Sequence, residues 1–239
     1  MEKLCISDSL NLSMYYPTGY AKQDRYATEL FEDNRYHGVD ILKYVDFKDS
    51  VLIDAGAYVG WFTEWAIRQG VFTAIAFEPQ MDNFECLRKN AYLCNWYEHA
   101  GIELFPFALH DHTRTLYMDG RGQQAVTREE DFGGDITTIG VPLDLMFSRG
   151  RIFNPNSHII LKMDIEGNEK YALVGASQVM QNHKKVTIIA CVYHYKNQCA
   201  EVKQIILDLY NNDMLGKHTI HTAGEIDNNT ALLIMNKEE

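Results

Sequence analysis

The chain has 239 residues, 46% of them hydrophobic, and a formal charge of −11. That length suits one α/β domain with a short extension and supplies a sizeable core, while no apolar stretch approaches the ~18 residues of a membrane helix and the opening Met1-Glu2-Lys3-Leu4-Cys5-Ile6-Ser7 lacks the long apolar segment of a secretory signal. The acidic balance disfavours gripping nucleic-acid phosphates, and five cysteines without a Cys-x-x-Cys pair disfavour a zinc site or a disulfide framework and point to a reducing cytoplasm.

Residues 1–48 are rich in tyrosine and mixed charge. Apolar Tyr26, Leu30, Phe31, Ile41, Leu42 and Val45 predict one or two helices. The segment is expected to be a helical cap on the domain, or a lid over its ligand. Residues 49–239 are expected to form the main domain, in which strands and helices alternate. A strand over 51–54 leads through a glycine turn into a helix over 59–69, with Gly70 as its C-terminal stop. A strand over 72–77 ends in Glu78-Pro79, and a helix follows over 80–94. The next strand, 102–107, contains Pro106, which cannot donate to a ladder, so its end is expected at an edge or rim. Residues 109–141 break the pattern. Leu116-Tyr117-Met118 and Ile136-Thr137-Thr138-Ile139 read as strands among Gly120, Gly122, Gly133 and Gly134, a hairpin insertion on the substrate side. Strand Ile159–Met163, a helix over 168–181, strand Val186–Tyr193, a helix over 198–211 and two antiparallel terminal strands, 217–222 and 230–235, complete the chain. The expected fold is α/β: a seven-stranded, mostly parallel Rossmann-like sheet with helices on both faces and an antiparallel terminal hairpin.

Strand, glycine turn, helix, strand and acid make the nucleotide-binding half of such a sheet. Gly56 and Gly60 let the backbone approach a ligand. Glu78, 24 residues after Asp54, stands where a carboxylate accepts hydrogen bonds from both ribose hydroxyls of an adenosine. Asp54 before the turn would repel a pyrophosphate but suits the ammonium and sulfonium of S-adenosylmethionine. Tyr58 occupies the position at which the dinucleotide fingerprint wants a glycine. A methyl-donor site is therefore favoured over a nicotinamide site, and a nicotinamide-dependent oxidoreductase is the alternative enzyme. A binding protein without catalysis on the same scaffold is a further alternative. Trp61 lies near the turn, where it can flank the methionine moiety.

Asp164 and Glu166, in Lys162-Met163-Asp164-Ile165-Glu166-Gly167, alternate at a strand's carboxyl end and so share a face. They can bind a divalent cation, orient the methionine ammonium or act as a base. Asn168 reads as a helix N-cap. His194 ends the neighbouring strand and is the expected general base. His110 and His112 read as solvated loop residues.

These residues resemble the FkbM family of S-adenosylmethionine-dependent methyltransferases. Val51 to Phe62 resembles the first motif. Ala76-Phe77-Glu78-Pro79 with Asn83, Leu87 and Asn90 resembles the second. Phe107-Ala108-Leu109, Thr137-Thr138 with Pro142-Leu143-Asp144, Lys162 to Gly167, and Tyr193-His194 follow in order. The resemblance implies a class I methyltransferase fold and methyl transfer to a hydroxyl oxygen of a sugar, glycan or small secondary metabolite. It implies that Asp54, Gly56, Ala57, Tyr58, Gly60, Trp61, Pro79 and Asn83 surround the donor, that Glu78 holds the ribose, and that Ala108 lies by the adenine. Asp164, Glu166 and His194 would face the acceptor. Nucleic acid is not the expected partner, because the chain lacks both a basic balance and an Asn/Asp-Pro-Pro-Tyr/Phe motif.

Overall fold

A computed structural model describes residues 1–19, 25–119, 126–128, 136–148, 154–210, 217–226 and 229–238. The expected glycine signals at Gly120, Gly122, Gly133 and Gly134 lie outside the described residues. The N-terminal part contains β1 (Glu2–Ser7), β2 (Leu12–Tyr16), α1 (Arg25–Asp33), β3 (Arg35–Tyr36) and β4 (Val39–Asp40), then a single 3-10 turn, Ile41–Lys43. The main domain continues with β5 (Ser50–Ala55), α2 (Trp61–Arg68), β6 (Thr73–Phe77), α3 (Met81–Leu93), α4 (Trp96–His99) and β7 (Gly101–Phe105). Next come β8 (Ala108–Leu109), β9 (Arg114–Asp119), β10 (Val126–Arg128), β11 (Ile136–Val141) and α5 (Leu143–Ser148). The chain ends with β12 (His158–Met163), α6 (Glu169–Val174), α7 (Ser177–Asn182), β13 (Lys185–Cys191), α8 (Gln198–Tyr210), β14 (Lys217–Ile226) and β15 (Asn229–Glu238).

Seven strands form the central sheet in the order β14-β15-β13-β12-β5-β6-β7. β12, β5, β6, β7 and β13 are parallel, and β15 runs antiparallel to both of its neighbours. This is the class I methyltransferase sheet with its terminal hairpin. The β5-to-β7 run proceeds one way and β12 starts on the other side of β5, so the strand order reverses between β5 and β12 and a crevice opens at their carboxyl ends. β7 is an edge strand and ends at Phe105, before Pro106, so the expected strand over 102–107 stops short of the proline. A second sheet, β10-β9-β11-β8, carries the strands expected around Leu116 and Ile136.

Strands β5, β12 and β13 are buried almost throughout, as strands covered on both faces must be. Their pleat sorts side chains between two cores. Leu52, Ile160 and Ile189 pack with α1, α2, α3 and the N-terminal hairpin. Val51, Ile53, Leu161 and Ile188 pack with α5 through α8.

Two expectations need correction. Residues 1–48 are not a purely helical cap: among the described residues two hairpins, β1–β2 and β3–β4, flank the α-helix α1. Leu12-Ser13-Met14-Tyr15-Tyr16 alternates buried and half-buried with period two, the signature of a strand laid on a core. The single helix expected over 168–181 is two helices. At Gly175 the chain presses against the His110 backbone, with Asp111 Cα 3.2 Å from where a Cβ would stand. The second helix then starts on a cap from α5: Asp144 accepts from the Gln178 and Val179 amides at 3.0 and 2.9 Å.

Asn90 fastens the N-terminal hairpin to the domain. Its Oδ1 accepts from the Tyr15 amide at 2.6 Å, while Nδ2 donates to Tyr15 O at 3.0 Å and Val59 O at 2.8 Å. The side chain is fully buried. Asn90→Ala strands these backbone groups and is expected to cost about 1–3 kcal/mol. Urea denaturation measures it, and an unchanged midpoint would show that the hairpin is held by packing alone.

Candidate functional site

The turn after β5 satisfies its own amides. Gly56 and Ala57 both donate to Phe77 O at 3.0 Å, Tyr58 donates to Glu78 Oε2 at 2.8 Å, and Gly60 donates to Ala57 O at 2.8 Å. A pyrophosphate needs such amides free, so this occupied turn disfavours a dinucleotide. Tyr58 has φ +54°, a conformation rare outside glycine and asparagine. Its bond to Glu78 and its ring contact with Tyr16, at 5.9 Å, help hold it there.

Asp54 does not stand where the sequence reading put it. It is fully buried beneath the turn and does not line the cleft. Lys162 is its register partner on the adjacent parallel strand. Lys162 Nζ lies 2.9 Å from Asp54 Oδ1 and donates to Gly56 O at 2.9 Å, and Thr63 Oγ1 donates to Asp54 Oδ2 at 2.6 Å. Burial acts to lower the lysine's pKa, but Asp54 and Asp164 outweigh it and hold the ammonium above its usual range. The charge of Asp54 is therefore compensated, and the argument that it repels a pyrophosphate gives way to the occupied amides. Gly60 also has a packing role: a Cβ there would collide with Trp96 and come within 2.6 Å of Leu87 Cδ1.

The cleft, about 310 Å³, opens at the carboxyl ends of β5, β6 and β12. Gly56, Ala57, Tyr58, Trp61, Glu78, Pro79 and Ala108 line one side, with Phe62, Phe77 and Phe107 among them. Glu78 is buried, and its Oε1 accepts from the Gln80 amide at 3.0 Å and Asn83 Nδ2 at 3.2 Å. Burial pushes its pKa up to about 7, against the lowering effect of those bonds. Asn83 is buried behind Glu78 and positions it without lining the cleft.

The other side is built around Asp164. Its Oδ2 accepts from Tyr36 Oη at 2.9 Å and lies 3.4 Å from His37 Nε2. Its Oδ1 lies 3.4 Å from Tyr193 Oη and 3.5 Å from His194 Nε2. Burial opposes its ionisation, but the two histidines and Lys162 outweigh burial and hold its pKa well below the usual carboxylate range. Glu166 also lines the cleft, has φ +55° and is pushed up to about 7 by burial. The two carboxylates do converge, but through a left-handed turn at Glu166 and not through an extended segment. Asn168 is at the N-cap position without a capping bond; Nδ2 instead donates to Thr127 O and Oγ1, both at 3.2 Å.

His194 sits behind this wall and does not line the cleft. Asp164, Glu169 and Glu166 surround it and raise its pKa to about 9, overcoming the lowering effect of burial. It therefore carries its proton at neutral pH, opposite to what the expected base role requires. His110 is buried with its ring stacked on Tyr171 at 4.7 Å, so it is not a solvated loop residue.

The sequence reading missed Tyr36, His37 and Lys162 as site residues. Tyr36 and His37 carry no local signal, since they meet Asp164 from more than 120 residues away. Lys162 did carry one: a charge inside the apolar run Ile159–Met163 requires a buried partner.

No curated protein matches the chain significantly. Among solved structures, an rRNA methylase from Streptococcus thermophilus is 12% identical, with 83% of this chain and 91% of that one covered and a TM-score of 0.45. A SAM-bound magnesium protoporphyrin IX methyltransferase from Synechocystis is 9% identical over 81% and 72%, also at 0.45. A ribosomal protein L11 methylase from Lactobacillus delbrueckii subsp. bulgaricus is 11% identical over 80% and 72%, at 0.43. The model of the methyltransferase FkbM domain matches residues 54–213, well over half of the chain. With that match, and the cleft at the strand-order reversal, the chain belongs to the FkbM family of S-adenosylmethionine-dependent methyltransferases.

Proposed function

We infer that the protein methylates a hydroxyl oxygen on a sugar, glycan or small metabolite. The observation that carries this reading is the two-sided cleft: an aromatic, glycine-lined side ending in Glu78, and an acidic side built from Asp164 and Glu166. The bound donor supplies a methyl group on a positively charged sulfur. The residues of the first side suit that donor. Glu78 offers carboxylate oxygens to the ribose, Phe77 and Phe107 offer aromatic faces to the adenine, and Ala108 leaves space beside them. The Trp61 indole N–H is buried and has no acceptor among the described residues; the donor's carboxylate would accept from it. Asp164 stays ionised and supplies the counter-charge that Asp54, paired with Lys162, does not.

The acceptor side includes the carboxylates that raised the expectation of a divalent cation. It also draws His37 from the N-terminal segment, Thr127 from the 109–141 insertion and Ile226 from the terminal hairpin. The chain's work is to hold the acceptor oxygen in line with the methyl group. As the oxygen–carbon bond forms, the sulfur–carbon bond breaks with its electron pair going to sulfur, and the hydroxyl proton leaves by way of the acidic wall. That wall and the charge of −11 support a neutral polyhydroxylated acceptor over a polyphosphate.

Incubation with methyl-labelled donor and a panel of sugars and hydroxylated metabolites tests the reading. Label on a hydroxyl oxygen is expected; label only on RNA or on protein nitrogen would overturn it. Donor affinity should also depend on pH through Glu78. Ribose hydroxyls donate to the ionised carboxylate, so S-adenosylhomocysteine affinity is expected to weaken about tenfold per unit below pH 7. Glu78→Gln should bind more weakly and without that slope, as read by calorimetry. A pH-independent wild-type affinity would remove Glu78 from the ribose.

A further inference from the structure

His194 is the centre of an uncompensated cluster. Its side chain is 7% exposed, and Nε2 has no hydrogen-bond partner among the described residues. That nitrogen is aimed between two carboxylate oxygens, Asp164 Oδ1 at 3.5 Å and Glu166 Oε2 at 3.8 Å. The three candidate donor atoms all lie within 4.8 Å of one another. Donors 2.0–2.2 Å from an ion stand about 3 Å apart when adjacent and about 4 Å when opposite. The two spacings from His194 Nε2, 3.5 and 3.8 Å, fall between these limits.

The surroundings are those of a ligand set. The other imidazole nitrogen, Nδ1, is 3.6 Å from Glu169 Oε1, and Glu169 is itself fixed by the Ile165 amide at 3.0 Å. A carboxylate behind a histidine sets the ring's orientation and raises its basicity as a ligand. Tyr36 and His37 take Asp164 Oδ2, while Oδ1 faces His194 Nε2 at 3.5 Å and the Tyr193 hydroxyl at 3.4 Å. Glu166 meets only His194 among the described residues. Lys162, whose charge also acts on Asp164, is committed to Asp54. Three carboxylates thus face His194 in a largely buried place, with His37 on the far oxygen of Asp164, and a doubly charged cation would balance them.

We propose that Asp164, Glu166 and His194 bind one divalent transition cation of the Mn²⁺ type, whose open positions face the cleft and chelate an acceptor bearing two adjacent oxygens. One nitrogen and two carboxylate donors suit such a cation better than Ca²⁺, which takes six to eight oxygens. In this arrangement His194 is a ligand and not a base. The acceptor class, a vicinal diol or a hydroxyl beside a carbonyl, rests on the methyltransfer reading above; the cation site does not.

The test is titration of the metal-stripped full chain with Mn²⁺, followed by loss of the free-ion electron paramagnetic resonance signal. S-adenosylhomocysteine calorimetry on each variant runs beside it. One Mn²⁺ per chain is expected. Glu166→Gln and His194→Gln should each weaken it at least tenfold, and Glu169→Gln by 10–100-fold through the ligand it orients. His112→Ala, in the separate His110–Asp111–His112 group, should leave it unchanged. Glu166 is on the cleft wall and one quarter exposed, so Glu166→Gln keeps the test open if His194→Gln does not fold. No saturable Mn²⁺ binding by a wild type that binds S-adenosylhomocysteine would overturn the cation site. Binding that survives Glu166→Gln but is lost in His112→Ala would also overturn it. Mn²⁺ binding without S-adenosylhomocysteine binding would uphold the cation site and overturn the donor reading.

Discussion

Gly56→Ala is expected to abolish S-adenosylhomocysteine binding and to destabilise the protein by about 3–5 kcal/mol, combining overpacking with a left-handed residue. Gly56 has φ +73°, and a Cβ there would collide with the Asp164 carbonyl oxygen and lie 3.0 Å from Ile165 Cγ2. The obstacle is backbone at the end of β12, so no side chain can swing aside. Relief requires the ends of β5 and β12 to part, which moves Asp164 away from the rest of the cleft. Gly38→Ala separates the two causes. Its φ is +76° but nothing lies within 4 Å of the new Cβ. It should cost only about 1 kcal/mol, the conformational part alone. Urea denaturation of both variants decides the matter. Equal losses would mean that the close approach to Asp164 has no energetic weight.

Lys162→Met is expected to cost about 3–5 kcal/mol, because it leaves the Asp54 carboxylate buried without its partner. The ammonium lies 2.9 Å from Asp54 Oδ1 and 2.9 Å from Gly56 O, so the variant also strands a carbonyl of the glycine turn. Adding Asp54→Leu should restore most of the loss, since a matched apolar pair replaces the ion pair. Denaturation of the two single variants and the double variant gives the coupling energy. Additive losses would show that the two charges do not support one another.

Much of the architecture was legible locally. The runs Val51-Leu52-Ile53 and Ile159-Ile160-Leu161 are short, apolar and rich in β-branched residues, and they became the buried centre of the sheet. Gly56 marked the close approach at the glycine turn, Glu78 marked the next strand's carboxyl end, and Asp164 with Glu166 marked the acidic side of the cleft. These features follow from residue type and spacing along a few turns of chain, which periodicity records faithfully. The N-terminal hairpin was lost because its alternation is brief and its tyrosines suit helix or strand alike.

The sequence determined which polar groups stand near the ends of the central strands; the tertiary structure decided their charge states and partners. Asp54 and His194 show the difference. Asp54 lies within β5, and His194 lies just beyond the end of β13. Yet the register of β12 against β5 gives Asp54 to Lys162, and α6 brings Glu169 behind His194 to make three carboxylates around one ring. Burial and neighbouring charge fix protonation, and both arise from contacts made across the fold. For the same reason no local pattern in residues 35–37 announced that Tyr36 and His37 would close on Asp164.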